Sequence, residues 1–136
     1  MKTGIIDCGG GLRGIYGAGV FDYCLDNNIS FDVIIGISAG SANLASFSSG
    51  QRGRNYYFYH DYPFRKEYMS VDNLLKKKYY LDLDYVYGKL SNSDGENPFD
   101  FDNFIKNKSE KYIIATDAQT GEAKYFDANK MNKNNY

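Results

Sequence analysis

Apolar residues recur along the first third of this chain with alternating strand-like and helical spacing. Thr3-Gly4-Ile5-Ile6-Asp7-Cys8 is a short run with two β-branched residues at its centre, the composition of a strand. Ile15-Tyr16-Gly17-Ala18-Gly19-Val20-Phe21-Asp22-Tyr23-Cys24-Leu25 places apolar residues at helical spacing and ends near Asn27-Asn28, which favour a turn. Phe31-Asp32-Val33-Ile34-Ile35 is again strand-like, and its β-branched content suits a buried parallel position. Ser41-Ala42-Asn43-Leu44-Ala45-Ser46-Phe47 is small and apolar enough to form a helix packed against that strand. Strand, loop, helix, strand, loop, helix predicts one right-handed βαβ unit with parallel strands. Both loops then lie at the carboxyl ends of the strands, where open α/β sheets place their sites.

Further along, Ser48 to Arg54 is a polar turn, and Asn55 to Tyr62 is aromatic all round until Pro63 stops it. Two helical pieces are expected between Ser70 and Ser91, at Val71–Lys78 and Leu83–Gly88, followed by a loop over Asn92–Pro98. Asp102–Lys106 has room for one helical turn or two. Lys111–Asp117 reads as a strand, Gln119–Glu122 as a turn, and Ala123–Asp127 as the second strand of a hairpin. The tail from Asn129 to Tyr136 is rich in Asn and Lys. The whole is an α/β domain with four placeable strands and no internal repeat.

Two glycine-rich stretches carry candidate chemistry. Gly36-Ile37-Ser38-Ala39-Gly40 has the spacing of a nucleophile elbow, in which a serine is held in strained geometry between strand and helix. Its hydroxyl would sit at a helix N-terminus, where free N–H groups favour developing negative charge. Gly9-Gly10-Gly11 ends the first strand, where three glycines serve neither strand nor helix. They suit a loop whose N–H groups face a ligand, as an oxyanion hole requires. The same glycines support a competing reading. Gly9, Gly11 and Gly14 fit the G-x-G-x-x-G fingerprint of a Rossmann-like dinucleotide-binding domain. That fold wants an acid at the end of its second strand, and here Asp32 stands at the beginning instead. His60 is the sole histidine and lies among aromatics, so a structural role outweighs a triad role. Cys8 has no histidine partner and is expected to be a buried strand residue.

Asp7-Cys8-Gly9-Gly10-Gly11-Leu12-Arg13-Gly14 followed by Gly36-Ile37-Ser38-Ala39-Gly40 resembles the patatin-like phospholipase family, which joins a D-G-G-G-x-R-G loop to a G-x-S-x-G elbow. Cys8 stands where the family more often has glycine. The resemblance implies a three-layer α/β/α domain around a mainly parallel sheet. It also implies a serine hydrolase of lipid acyl esters that works with a Ser–Asp dyad and no histidine. Ser38 would then be the nucleophile, flanked by Gly36, Ile37, Ala39 and Gly40. Gly9, Gly10, Gly11, Arg13 and Gly14 would form the oxyanion loop, with Arg13 holding the loop or meeting anionic substrate. The family's aspartate lies downstream in D-G-G or D-G-A. Asp94 precedes glycine but sits in a polar turn, and Asp117 precedes Ala118 and suits a structural role. The expectation is therefore an aspartate beyond Tyr136, with residues 1–136 forming the N-terminal part of one patatin-like domain. A catalytically inactive patatin-like module is the remaining alternative.

Composition narrows the field of partners. With 16 Lys+Arg against 17 Asp+Glu, the net charge of −1 leaves no footprint for nucleic acid. Two cysteines make no disulfide framework, and the start of the chain has no apolar leader, so a cytoplasmic setting is expected. No run approaches the roughly 18 apolar residues of a spanning helix. No cofactor or metal motif is present. The expected partner is a lipid or other acyl ester, with transient contact to a membrane surface through the Lys76-Lys77-Lys78 run as a further possibility against a plain solvated face. The tyrosine-rich stretch from Tyr56 to Tyr87 is the expected cap over an acyl groove.

Overall fold

A computed structural model describes residues 1–132. Strands β1 (Gly4–Asp7) and β2 (Val33–Ile37) pair in parallel, with Ile5 opposite Ile34 and Asp7 opposite Gly36. A 3-10 turn at Gly11–Gly14 and helix α1 (Ile15–Asp26) connect them, and helix α2 (Ala39–Ser48) leaves β2 directly. This is the βαβ unit that the apolar spacing requires. β2 begins later than its apolar run because Asp32 accepts hydrogen bonds from Thr3 N (2.7 Å) and Thr3 Oγ1 (3.1 Å), closing the entrance to the strand. Phe31 turns into the core, where its ring lies 6.0 Å from Phe47.

Strand β3 (Glu110–Thr116) adds to β2 in parallel, and β4 (Ala123–Asp127) returns from it as an antiparallel hairpin. The sheet order is β1-β2-β3-β4, which leaves β1 and β4 as edges. Side chains alternate across the sheet. Ile5, Ile34 and Ile113 face a core built from Phe21, Cys24, Leu44, Phe47, Phe101 and Phe104, carried by α1, α2 and the short helix Phe101–Lys106. Lys111 is buried on this face; its Nζ donates to Asn107 O (2.8 Å) and Ser109 O (3.1 Å), which satisfies the ammonium where water cannot. On the opposite face Ile6 and Tyr125 are exposed, Val33, Ile35, Ile37, Tyr112 and Ile114 are half-buried, and none joins an apolar cluster. The α/β class is as expected; among the described residues the helices cover one face, so two layers of the expected three are seen.

A second, smaller cluster holds the aromatic stretch. Helix α3 (Arg54–Tyr56) widens into a π-helical turn, Tyr57–Asp61, and then tightens to a 3-10 turn at Tyr62–Phe64 that accepts Pro63 in its first positions. A second π-helical segment, Asp84–Leu90, packs Val86 and Leu90 against Phe58, Tyr62 and Tyr68. Arg54 ties this lobe to the sheet domain. It is buried, and its guanidinium donates to Ser46 Oγ of α2, Ser91 Oγ and Asn97 O, while Phe58 lies under it at 4.6 Å. Burial lowers its pKa to about 10, still well above neutrality. Between the two π segments helix α4 (Val71–Lys77) projects from a base pinned by the Met69–Leu81 bridge and the Asp82 N to Tyr68 O bond (2.9 Å). Residues 133–136, the end of the Asn/Lys-rich tail, lie outside the described residues.

Candidate active site

Ser38 sits between β2 and α2 with φ 54° and ψ −129°, a left-handed conformation that a side chain normally avoids. It occupies the N-cap of α2, where a serine oxygen usually accepts from the first turn of the helix. Ser70, Asp100 and Asp127 do so at their own helix starts, accepting from Asn73 N, Asn103 N and Asn129 N. Ser38 does not. Its side chain is exposed and makes no hydrogen bond among the described residues.

The spacing of the glycines around it follows from closeness. A Cβ at Gly40 would stand 2.1 Å from Asp7 O, and one at Gly36 would stand 2.7 Å from Ser41 Cα. Both are backbone atoms that cannot swing aside. Gly40 therefore lets the start of α2 rest on the end of β1, and Gly36 lets the elbow fold back on itself.

The glycine loop closes on the same point. Gly9, Gly10 and Gly11 have φ of 70°, 125° and 61°, which glycine adopts without penalty. A Cβ on Gly9 would lie 2.8 Å from Ala39 N and 2.9 Å from Gly40 N, so loop and elbow meet at the N-terminus of α2. Asp7 Oδ1 accepts from Gly9 N at 2.8 Å, and that N–H is thereby committed to the loop itself. Arg13 is exposed and its Nε lies 3.5 Å from Gly10 O, a long contact that holds the loop from outside. Gly14 is buried and offers its carbonyl to Asn43.

Behind the loop runs a buried polar chain. Asn43 Nδ2 donates to Asp7 Oδ2 (2.8 Å) and Gly14 O (2.9 Å), and Asn55 Nδ2 donates to Asn43 Oδ1 (2.9 Å). Ser46 Oγ donates to Asn55 Oδ1 (2.8 Å), which continues the chain to Arg54. Tyr59 reaches in from the aromatic lobe: its hydroxyl donates to Ala39 O at 3.0 Å, and its ring end would touch any side chain at Gly14. Burial, with the Asp7 carboxylate nearby, pushes the Tyr59 hydroxyl above its ordinary pKa, so it stays a neutral donor. Asn43, Asn55 and Tyr59 escape the motif reading. A signal existed for Asn43: it is a poor helix former placed inside a helix of small apolar residues.

The remaining candidates lie apart from Ser38. Asp117 Oδ1 accepts from Gln119 N (2.9 Å) and Thr120 N (3.1 Å), and these bonds lower its pKa; it caps the β3–β4 turn. Asp94 is exposed in the turn before Pro98. His60 pairs with Asp61 at 2.6 Å and stacks on Tyr56 at 4.7 Å. Cys8 is exposed rather than buried, because β1 ends one residue earlier and Cys8 begins the loop. The place where a dinucleotide site needs an acid, the end of β2, holds Ile37 and then Ser38, while Asp32 is spent on Thr3 at the other end. Two surface hollows of about 570 and 560 Å3 open elsewhere, beside Phe99 and beside Asp32.

A parallel β-loop-α framework thus presents a strained serine with an unbonded side chain beside a glycine loop. The family model for patatin-like phospholipase matches residues 8–133, and the chain belongs to that family, one of lipid acyl hydrolases. Comparison with curated proteins and with solved structures gave no match.

Proposed function

We propose that this chain is a serine hydrolase of lipid acyl esters in which Ser38 is the nucleophile. The observation that carries the reading is the uncapped serine: Ser38 holds a strained backbone at a helix N-cap and leaves its hydroxyl unbonded. In the proposed reaction Ser38 Oγ attacks the ester carbonyl carbon. The carbonyl oxygen takes up the negative charge, facing the N–H groups of Gly10 and Gly11 and the N-terminus of α2. The alcohol leaves with a proton, and water then releases the acid from the acyl-serine. Arg13 and the Asp7–Asn43 bonds keep the loop in place throughout. The aromatic lobe that delivers Tyr59 to the elbow is the proposed cap over the acyl chain.

Among the described residues neither Asp94 nor Asp117 bonds to Ser38; Asp117 accepts from Thr120 N and Gln119 N instead, so neither is proposed as the dyad aspartate. Contact with a membrane surface and a reducing, cytoplasmic setting belong to the same proposal; both cysteines are unpaired thiols. A second reading, an inactive patatin-like module, draws on the Ser38 hydroxyl having no carboxylate or imidazole bonded to it among the described residues. A fluorophosphonate probe separates them. The hydrolase reading expects labelling of the wild type and none of Ser38→Ala. Equal labelling of the two would remove Ser38 from the mechanism, and absence of labelling in both favours the inactive module.

A further inference from the structure

The first turn of α2 carries the site's free donors. Ser41 N donates to Ser38 O at 2.9 Å, and among the described residues no acceptor engages Ala39 N or Gly40 N. Those two N–H groups border the place where the glycine loop closes, 2.8 and 2.9 Å from where a Cβ on Gly9 would stand. Orphan donors at a helix N-terminus favour negative charge.

Tyr59 acts on the same turn from the other side. Its hydroxyl donates to Ala39 O at 3.0 Å, and Ala39 O and Gly40 N belong to one peptide unit. Helix geometry already gives that carbonyl a partner four residues on, so the tyrosine bond is additional to helix closure. A donor on the carbonyl draws electron density toward its oxygen and makes the N–H of the same unit a stronger donor. The hydroxyl also has a prepared seat: a Cβ at Gly14 would stand 3.0 Å from Tyr59 Oη and 3.2 Å from Ala39 Cβ. Gly14 has φ −55°, which any residue adopts, so glycine there supplies space rather than backbone freedom. The π-helical turn at Tyr57–Asp61 aims neighbouring residues at two bodies, Phe58 into the cluster of the lobe and Tyr59 at the elbow. Tyr56 and Tyr57, just before them, are exposed.

We propose that Tyr59 is a positioning residue for the elbow: its hydroxyl orients and polarises the Ala39–Gly40 peptide, so that Gly40 N–H is presented to negative charge formed beside Ser38. The inference rests on the hydrolase reading for that charge, while the state of the peptide is read without turnover. Tyr59→Phe removes one oxygen and leaves the ring. Asn55 Nδ2, which donates to Ala42 O (3.1 Å) and Asn43 Oδ1 (2.9 Å), still ties the segment to α2, so circular dichroism should match the wild type. Two measurements test the proposal. The first is inactivation by an alkyl fluorophosphonate, in which Ser38 Oγ bonds to phosphorus, fluoride and the serine proton leave, and the phosphoryl oxygen carries the transient charge. Loss of a whole oxyanion donor costs about 10²–10³ in rate, and one hydrogen bond strengthens its neighbour by about 10–30%. The maximal inactivation rate, kinact, should therefore fall about two- to eightfold in Tyr59→Phe, with KI unchanged. The second is the amide nitrogen and proton resonance of Gly40, which should move upfield in the same variant. An unmoved Gly40 resonance, a kinact equal to that of the wild type, or a loss carried by KI alone overturns the proposal. A wild type inert to the probe sinks the hydrolase reading instead, and the Gly40 resonance then upholds or overturns the hold of the tyrosine on the peptide.

Discussion

Replacing Ser38 with glycine should make the protein more stable while removing the proposed nucleophile. At φ 54° and ψ −129° the serine backbone lies where side-chain-bearing residues are held at a cost of about 1–3 kcal/mol. Glycine removes that strain but adds freedom to the unfolded chain, which offsets about 0.5–1 kcal/mol. The net gain is about 0.5–2 kcal/mol, or a rise in Tm of about 2–8 °C for a domain of this size. Ser38→Ala is the control, because it deletes the same unbonded hydroxyl and keeps the Cβ that causes the strain. Its stability should stay within about 0.5 kcal/mol of the wild type. Thermal unfolding of the three proteins by circular dichroism reads the difference directly. If Ser38→Gly melts no higher than Ser38→Ala, the elbow stores no strain and the argument built on its backbone fails.

Asn43→Ala should destabilise by about 2–5 kcal/mol, since it strips Asp7 Oδ2 and Gly14 O of their buried donor. A urea midpoint close to the wild type's would show that these acceptors need no amide. At alkaline pH the buried tyrosines set the trend. Tyr68 donates to Phe58 O at 2.9 Å, and burial pushes its hydroxyl up to about 12. The unfolded chain ionises this group from about pH 10 while the folded one retains the proton, so the native state binds more protons in that window and stability falls as pH rises from about 10 to about 12. Tyr68→Phe should flatten that fall by up to about 1.4 kcal/mol per pH unit; an unchanged slope in denaturation series across this range would remove Tyr68 as its source.

The βαβ unit and its two glycine loops were legible because each rests on local rules: apolar period, turn chemistry, and glycine where a Cβ cannot fit. The β3–β4 hairpin was legible for the same reason. What escaped depends on approach between distant segments. Nothing near Asn43 in sequence says that Asp7 and Asn55 will meet it, and nothing around Tyr59 says that its hydroxyl will reach Ala39. Cys8 was misplaced because strand composition runs one residue past the last ladder pair. The π-helical turns were invisible as well, because their width is set by packing among Phe58, Tyr62 and Val86 rather than by propensity.

The contact between Gly40 and the carbonyl of Asp7 has a consequence for anyone who would transplant this elbow. A pentapeptide moved onto another parallel sheet would carry the serine but not the surface against which its helix is seated. With a Cβ at Gly40 falling 2.1 Å from Asp7 O and one at Gly9 falling 2.6 Å from Ile37 O, neither loop has a shape of its own. Each is the mould of the other. The smallest portable piece therefore runs from β1 through α2, and an engineer who exchanges either loop must exchange both.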